Sequence, residues 1–306
     1  MFKKLKIFLP FSFLILLIFI LTSCNQNQNN NPTPPAAGPY LDQASPGTTP
    51  IIFAPNIIPQ AAFAITFSPD GRECFYTRWL RDDINGIYTT KLTDGRWPAP
   101  TLASFSGTYM DMEAHITPDG NRMYFGSMRP LDGEPSDFLR TWYVENLGSS
   151  WSDPQPIESP LRNRSMMYPS VADNGNIYYT DLGEGNENEG IYVSRLVNGN
   201  YSEPVVVAEN INSMSSPAHP FIAPDESYLI FDVVTAVAND VFYRDLYISI
   251  RNQDGTWSDP ERLNNTINTN GVEMCPFVSR DGRYFFFSRW VEETGNSHIY
   301  WVNADF

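Results

Sequence analysis

Short apolar runs separated by tight polar breaks recur along this chain in one pattern. Ile116-Thr117-Pro118-Asp119-Gly120-Asn121-Arg122-Met123-Tyr124-Phe125 reads as strand, turn, strand. Pro118 presets φ for the first corner, Asp119 tolerates the second, and Gly120 takes the positive φ that closes a short hairpin. The pattern returns at Pro69-Asp70-Gly71, Asp173-Asn174-Gly175, Pro224-Asp225-Glu226 and Arg280-Asp281-Gly282, each time followed by an apolar, aromatic-rich run. A third strand follows at Ile87-Tyr88, Trp142-Tyr143, Ile191-Tyr192, Leu246-Tyr247 and Ile299-Tyr300. In four of the repeats an aromatic residue with a nearby proline then leads into a short fourth strand, as in Trp151-Ser152-Asp153-Pro154 and Trp257-Ser258-Asp259-Pro260. Proline there suits an edge strand, which need not donate every N–H.

From Asp70 to Asp119, Asn174, Asp225 and Asp281 the steps are 49, 55, 51 and 56 residues. A period near 50 with four strands per repeat marks a propeller blade. These residues resemble the Pro-Asp-Gly type of WD-repeat-like unit known from the propeller domain of the TolB family, over about residues 50–306. The resemblance implies an all-β propeller of four-stranded antiparallel blades and names no ligand, because such propellers serve many functions. The TolB family has six repeats and a separate N-terminal domain, so a role in the Tol system does not carry over to the five repeats here. The fifth repeat stops on its third strand, at Trp301-Val302-Asn303, and Pro50-Ile51-Ile52-Phe53-Ala54 resembles a fourth strand. Five blades closed by that N-terminal strand account for both ends and remove the sheet edges; six blades are the alternative.

Upstream, Lys3, Lys4 and Lys6 precede an apolar run from Ile7 to Leu21 that ends in Leu21-Thr22-Ser23-Cys24. The run is short for a membrane span. It reads as a lipoprotein signal over residues 1–23, with the lipid on Cys24; an uncleaved anchor is the alternative. Residues 24–49, rich in Asn, Gln, Pro, Ala and Gly, read as a disordered tether, leaving 50–306 for the propeller. The expected setting is the bacterial envelope, at the outer membrane or cell surface, with a monomer held to the membrane by its lipid.

Hydrophobic residues at 42% suffice for a core of that size. The formal charge is −15, and loss of the leader's three lysines leaves 17 basic against 35 acidic residues, or −18. Such a surface repels phosphate backbones and excludes nucleic acid as a partner. Cys74 and Cys275 lie in the first and last repeats, which closure makes neighbours, so a disulfide is open in an exported protein; their strand positions favour two buried free thiols.

Period two on the innermost strands separates an apolar face (Ile65, Phe67, Ala114, Ile116, Val171, Ile222, Val278) from a mixed one. The mixed face carries Ala64, Glu113, His115, Tyr168, Ser170, His219, Phe221, Cys275 and Phe277. Ends of the second strands add Arg78, Arg129, Asp181, Asp232 and Arg289 to the same rim. Candidate ligand-binding residues are therefore Glu113, Arg129, Tyr168, His219, Glu273 and Arg289. An arginine could clamp a carboxylate, as of an acidic sugar, or brace neighbouring blades. His115 and His298 read as structural, and three histidines argue against a metal centre. The loop from Asp181 through Glu184, Asn186 and Asn188 offers oxygens that calcium would accept, or is a plain solvated connection; no other cofactor is expected. Two function classes remain: a binding or scaffold module for a protein or glycan, and a carbohydrate-active enzyme, glycosidase or polysaccharide lyase, at the propeller mouth. A glycosidase needs two opposed carboxylates, for which Glu113 and Glu273 are the candidates. No Gly-x-Ser-x-Gly or His-Glu-x-x-His motif occurs.

Overall fold

A computed structural model describes residues 38–305, apart from 82–83, 134–137, 184–188, 240 and 293. The chain divides into two units, residues 1–36 and 37–306. The first, with the expected signal segment and Cys24, lies outside the described residues.

The second unit is a five-bladed β-propeller of four-stranded antiparallel sheets. Blade 1 is β2 (Ala62–Phe67), β3 (Glu73–Arg81), β4 (Ile84–Lys91) and β5 (Thr101–Leu102). Blade 2 is β6 (Asp111–Ile116), β7 (Arg122–Ser127), β8 (Arg140–Glu145) and β9 (Gln155–Pro156). Blade 3 is β10 (Met166–Val171), β11 (Ile177–Asp181), β12 (Gly190–Ser194) and β15 (Val205–Val206), with the small hairpin β13 (Leu196–Val197) and β14 (Asn200–Tyr201) inserted before its last strand. Blade 4 is β16 (Ala218–Ile222), β17 (Tyr228–Ala238), β18 (Val241–Ile250) and β19 (Glu261–Arg262). Blade 5 is β20 (Val272–Val278), β21 (Tyr284–Val291), β22 (Asn296–Asn303) and the N-terminal β1 (Ile51–Ile52).

The repeated turns explain the regular hairpins between each blade's first two strands. In every blade the turn carboxylate or amide oxygen accepts the N–H two residues on: Asp70 from Arg72, Asp119 from Asn121, Asn174 from Asn176, Asp225 from Ser227, Asp281 from Arg283. This Asx turn replaces a ladder bond where the chain reverses. The next residue has positive φ each time: Gly71, Gly120, Gly175 and Gly282, but Glu226 in blade 4. Glu226 uses its side chain to tie blades 3 and 4, accepting from Asn176 Nδ2, Tyr178 Oη and Arg251. Burial opposes its charge, yet these donors hold its carboxyl below the usual range.

Ile51 and Ile52 pair antiparallel with Trp301 and Tyr300, the register that Leu102 and Thr101 keep on Tyr88 and Thr89 in blade 1. Phe53 then enters the seam, its ring 5.1 Å from Phe286 and 5.0 Å from Trp301. The packed chain starts earlier than the expected boundary at residue 50. Tyr40 and Leu41 are buried, Tyr40 N–H donates to the Gly71 carbonyl, and the Tyr40 ring meets Phe67 and Tyr284 edge-on. Two large apolar side chains in a polar stretch suffice to dock it. The predicted apolar face of the innermost strands is buried at Ile65, Phe67, Ala114, Ile116, Val171, Ile222 and Val278. Cys74 and Cys275 are buried free thiols.

Candidate functional site

Each innermost strand carries one extra residue relative to its neighbour, a bulge that breaks the expected strict alternation. The bulge residues are Ala64, Glu113, Tyr168, His219 and Cys275, with φ of 49°, 58°, 50°, 49° and 55°. None is glycine, and left-handed backbone costs an ordinary residue about 1 kcal/mol or more. Because Ala64 adopts it as well, the conformation belongs to the fold. What varies is the side chain each blade offers at that position.

The residue opposite the strand position just before each bulge is Thr77, Gly126, Thr180, Asp232 and Ser288 in blades 1 to 5. The three hydroxyls fasten blade to blade. Thr77 Oγ1 accepts from Glu113 N–H at 2.8 Å, Thr180 Oγ1 from His219 N–H at 2.9 Å, and Ser288 Oγ from Ala64 N–H at 3.1 Å. Blades 2 and 4 depart from this rule. Gly126 has no hydroxyl, and the Tyr168 N–H donates instead to Glu113 Oε2 at 3.0 Å. Asp232 turns to its own blade, with Oδ2 2.7 Å from His219 Nδ1 and Oδ1 2.5 Å from Arg244 Nη1.

These departures assemble a buried cluster. Glu113 Oε1 lies 3.7 Å from His219 Nε2. The Tyr168 ring meets His219 edge-on at 5.3 Å, and its hydroxyl donates to the Pro276 carbonyl at 2.8 Å. Cys275 Sγ, an imidazole nitrogen of His219 and a Glu113 oxygen lie within 4.8 Å of one another. Burial pushes the Glu113 carboxyl up, partly offset by His219 and the Tyr168 N–H. Burial alone would lower His219, but the Asp232 carboxylate, with Glu113 behind it, holds it above its ordinary value. Burial, with the Glu113 charge, raises the Cys275 thiol.

A second layer is purely structural. Thr66 accepts from Ile116 N–H, His115 Nε2 from Val171 N–H and Ser170 from Ile222 N–H. A ring nitrogen receiving an N–H is unprotonated, and burial lowers His115 to about 4. Phe67, Phe221 and Phe277 line a cavity of only about 30 Å³ on the turn side of this layer.

Of the six candidates, Glu113, Tyr168 and His219 come together. Arg129 is buried in its own blade, bonded to Ser127, the Phe105 carbonyl and Asp111. Arg289 holds Glu273 Oε1 at 2.7 Å and caps the Ile267 carbonyl. Thr269 donates to the same Glu273 oxygen. Arg129, Arg289 and Glu273 are thus buried and paired within blades 2 and 5. In the calcium candidate, Asp181 is paired with Arg164 and accepts from Gly183 N–H, while Glu184, Asn186 and Asn188 lie outside the described residues. Cys275 and Asp232 joined the cluster unannounced as its members, although both stood on the mixed face or rim in sequence.

Two further surfaces stand out. On the rim where first strands start and second strands end, Trp79, Phe138, Val237 and Phe242 are each at least half exposed, at 50%, 53%, 60% and 58%. On the opposite rim a cleft of about 740 Å³ between blades 2 and 3 is lined by Arg122, Glu145, Glu158, Tyr124 and Tyr201. Arg122 is engaged by both glutamates there.

Fold and site together define a five-bladed propeller with a buried carboxylate–imidazole–thiol cluster on its axis. No protein-family model matches the chain, and no curated protein matches it. Solved structures resemble it in fold. A putative TolB from Agrobacterium tumefaciens is 15% identical, covering 76% of this chain and 71% of that one at a TM-score of 0.48. A GH43 endo-arabinanase from Bacillus licheniformis is 12% identical, covering 78% and 94% at 0.49. A gluconolactonase from Xanthomonas campestris is 12% identical, covering 78% and 70% at 0.49. Likeness at this level bears on fold and not on activity.

Proposed function

We propose that this protein is a WD-repeat-like propeller lipoprotein, tethered through Cys24 in the bacterial envelope, that presents its strand-start rim to a protein or glycan as a monomeric binding or scaffold module. The observation that carries the reading is the set of exposed Trp79, Phe138, Val237 and Phe242 on that one rim. Large apolar side chains held in water by a rigid scaffold support an interaction surface. The acidic surface, −15 overall, favours neutral or cationic partners and opposes nucleic acid.

The test compares the full chain with a Trp79→Ala/Phe242→Ala double variant on solubilised envelope proteins and on a glycan array. Loss of one saturable interaction with the melting curve unchanged supports the reading; equal binding by both contradicts it. Lipid labelling lost in Cys24→Ala supports the tether, and labelling retained in that variant contradicts it. The second reading, carbohydrate chemistry, rests on the raised carboxyl of Glu113 beside His219. Against it, both other carboxylates near the axis are committed, Glu273 to Arg289 and Thr269 and Asp232 to His219 and Arg244. A hydrolysis panel that yields products lost in Glu113→Gln would favour it.

A further inference from the structure

Glu113, His219 and Cys275 reach the axis from the bulges of three different blades. They bring one oxygen, one nitrogen and one sulfur within 4.8 Å of each other. His219 is oriented as metal-bound imidazoles are. Asp232 Oδ2 stands 2.7 Å from Nδ1 and is itself fixed by Arg244. That contact keeps a proton on Nδ1 and aims Nε2 toward Glu113, so that Nε2 is the nitrogen that offers its lone pair once the ring is neutral. Ligand atoms of a tetrahedral zinc ion stand about 3.3–3.8 Å apart; His219 Nε2 to Glu113 Oε1 is 3.7 Å, and all three atoms lie within 4.8 Å of one another, so binding draws Cys275 Sγ inward.

We propose that this axial cluster binds a divalent transition-metal ion, zinc foremost, through Glu113, His219 and Cys275. The donor set selects against calcium and magnesium, which want several oxygens and no sulfur. Charge balances as well: a divalent ion offsets the Glu113 carboxylate and the Cys275 thiolate, while Asp232 and Arg244 offset each other. On binding, the Cys275 S–H bond breaks and the sulfur–metal bond forms, and the thiol proton, with any proton on His219 Nε2 or the Glu113 carboxyl, leaves to solvent. Ala64 occupies the blade 1 position without a donor group. Half-buried Phe63 and Met274 pack against Ala64, Tyr168 and Cys275 on the strand-start side. The expectation of no metal rested on counting histidines; one suffices when a thiol and a carboxylate meet it. None of the three ligands belongs to the exposed rim set, so this site and the rim stand or fall separately.

Cobalt titration of the reduced full chain in detergent tests it. One equivalent should produce tetrahedral ligand-field bands and a thiolate-to-cobalt charge-transfer band, both bleached by one equivalent of zinc. Cys275→Ser should abolish the charge-transfer band and weaken zinc at least about tenfold, and Cys74→Ser, which changes the other buried thiol, should alter neither. Because Cys275 is buried, its alkylation is followed as the unaltered chain opens in denaturant; zinc should slow it, a readout that needs no variant to fold. Absence of the band at one equivalent, its survival in Cys275→Ser, its loss in Cys74→Ser, or alkylation indifferent to zinc would each overturn the proposal.

Discussion

Blades 1, 3 and 5 and blades 2 and 4 share backbone, turns and bulge, yet differ at the residue opposite the pre-bulge position. In the first group Thr77, Thr180 and Ser288 each take a buried N–H from the next blade. In the second, Gly126 and Asp232 do not. The acceptor that Gly126 cannot provide is supplied by the Glu113 carboxylate, and Asp232 serves His219. A repeat thus separates what holds the ring together from what two blades add. The hydroxyls satisfy backbone donors that would otherwise be orphaned. The departures bury charge, which fastening does not require.

The comparison breaks most visibly at Asp232. Asp232→Asn leaves Arg244 and His219 without their shared carboxylate, and loss of one partner from a buried ionic set costs about 3–5 kcal/mol. Denaturant unfolding should register that loss, whereas a cost below about 1 kcal/mol would mean that solvent reaches the pair. Gly120→Val comes next. At φ +74° a β-branched residue is strained, and its Cβ would sit 3.2 Å from the Pro69 ring. The expected cost is about 1–3 kcal/mol, and an unchanged melting temperature would show that the turn relaxes. Blade 4 makes the contrast, because Glu226 holds the same conformation for the sake of its side-chain contacts.

Much of this was legible in sequence. The turns repeat with a fixed period, and Pro50 to Ala54 supply the strand that the last repeat lacks. Period two also put Glu113, Tyr168, His219 and Cys275 on one face. The bulge was not legible, since Ala, Glu, Tyr, His and Cys share no signature for positive φ. Nor was the fate of Arg129 and Arg289. Their partners, Asp111 and Glu273, are set by strand register, which composition does not reveal. Polarity alone sets the expected boundary at residue 50, and Tyr40 and Leu41 are too few to shift it.

A smaller effect sharpens the comparison through pH. Glu226 has a folded pKa below its unfolded one, so its contribution is present above the unfolded value, near 4.3, and is lost as pH falls through the folded value. Glu226→Gln should therefore be less stable at neutral pH and lose less stability on acidification. Parallel melting curves for the two proteins between neutral pH and pH 3 would remove Glu226 as an ionised tie.

The central claim, that hydroxyls fasten the ring and the departures make a site, is tested most directly by one paired measurement. Ser288→Ala and Glu113→Gln are each followed by melting and by zinc titration. Ser288→Ala orphans the Ala64 N–H, so it should lose about 1–3 kcal/mol and bind zinc as before. Glu113→Gln keeps an acceptor for Tyr168 N–H, so it should melt within a few degrees of the parent and lose zinc affinity. Equal destabilisation by both, with zinc binding unaltered in either, would contradict the account.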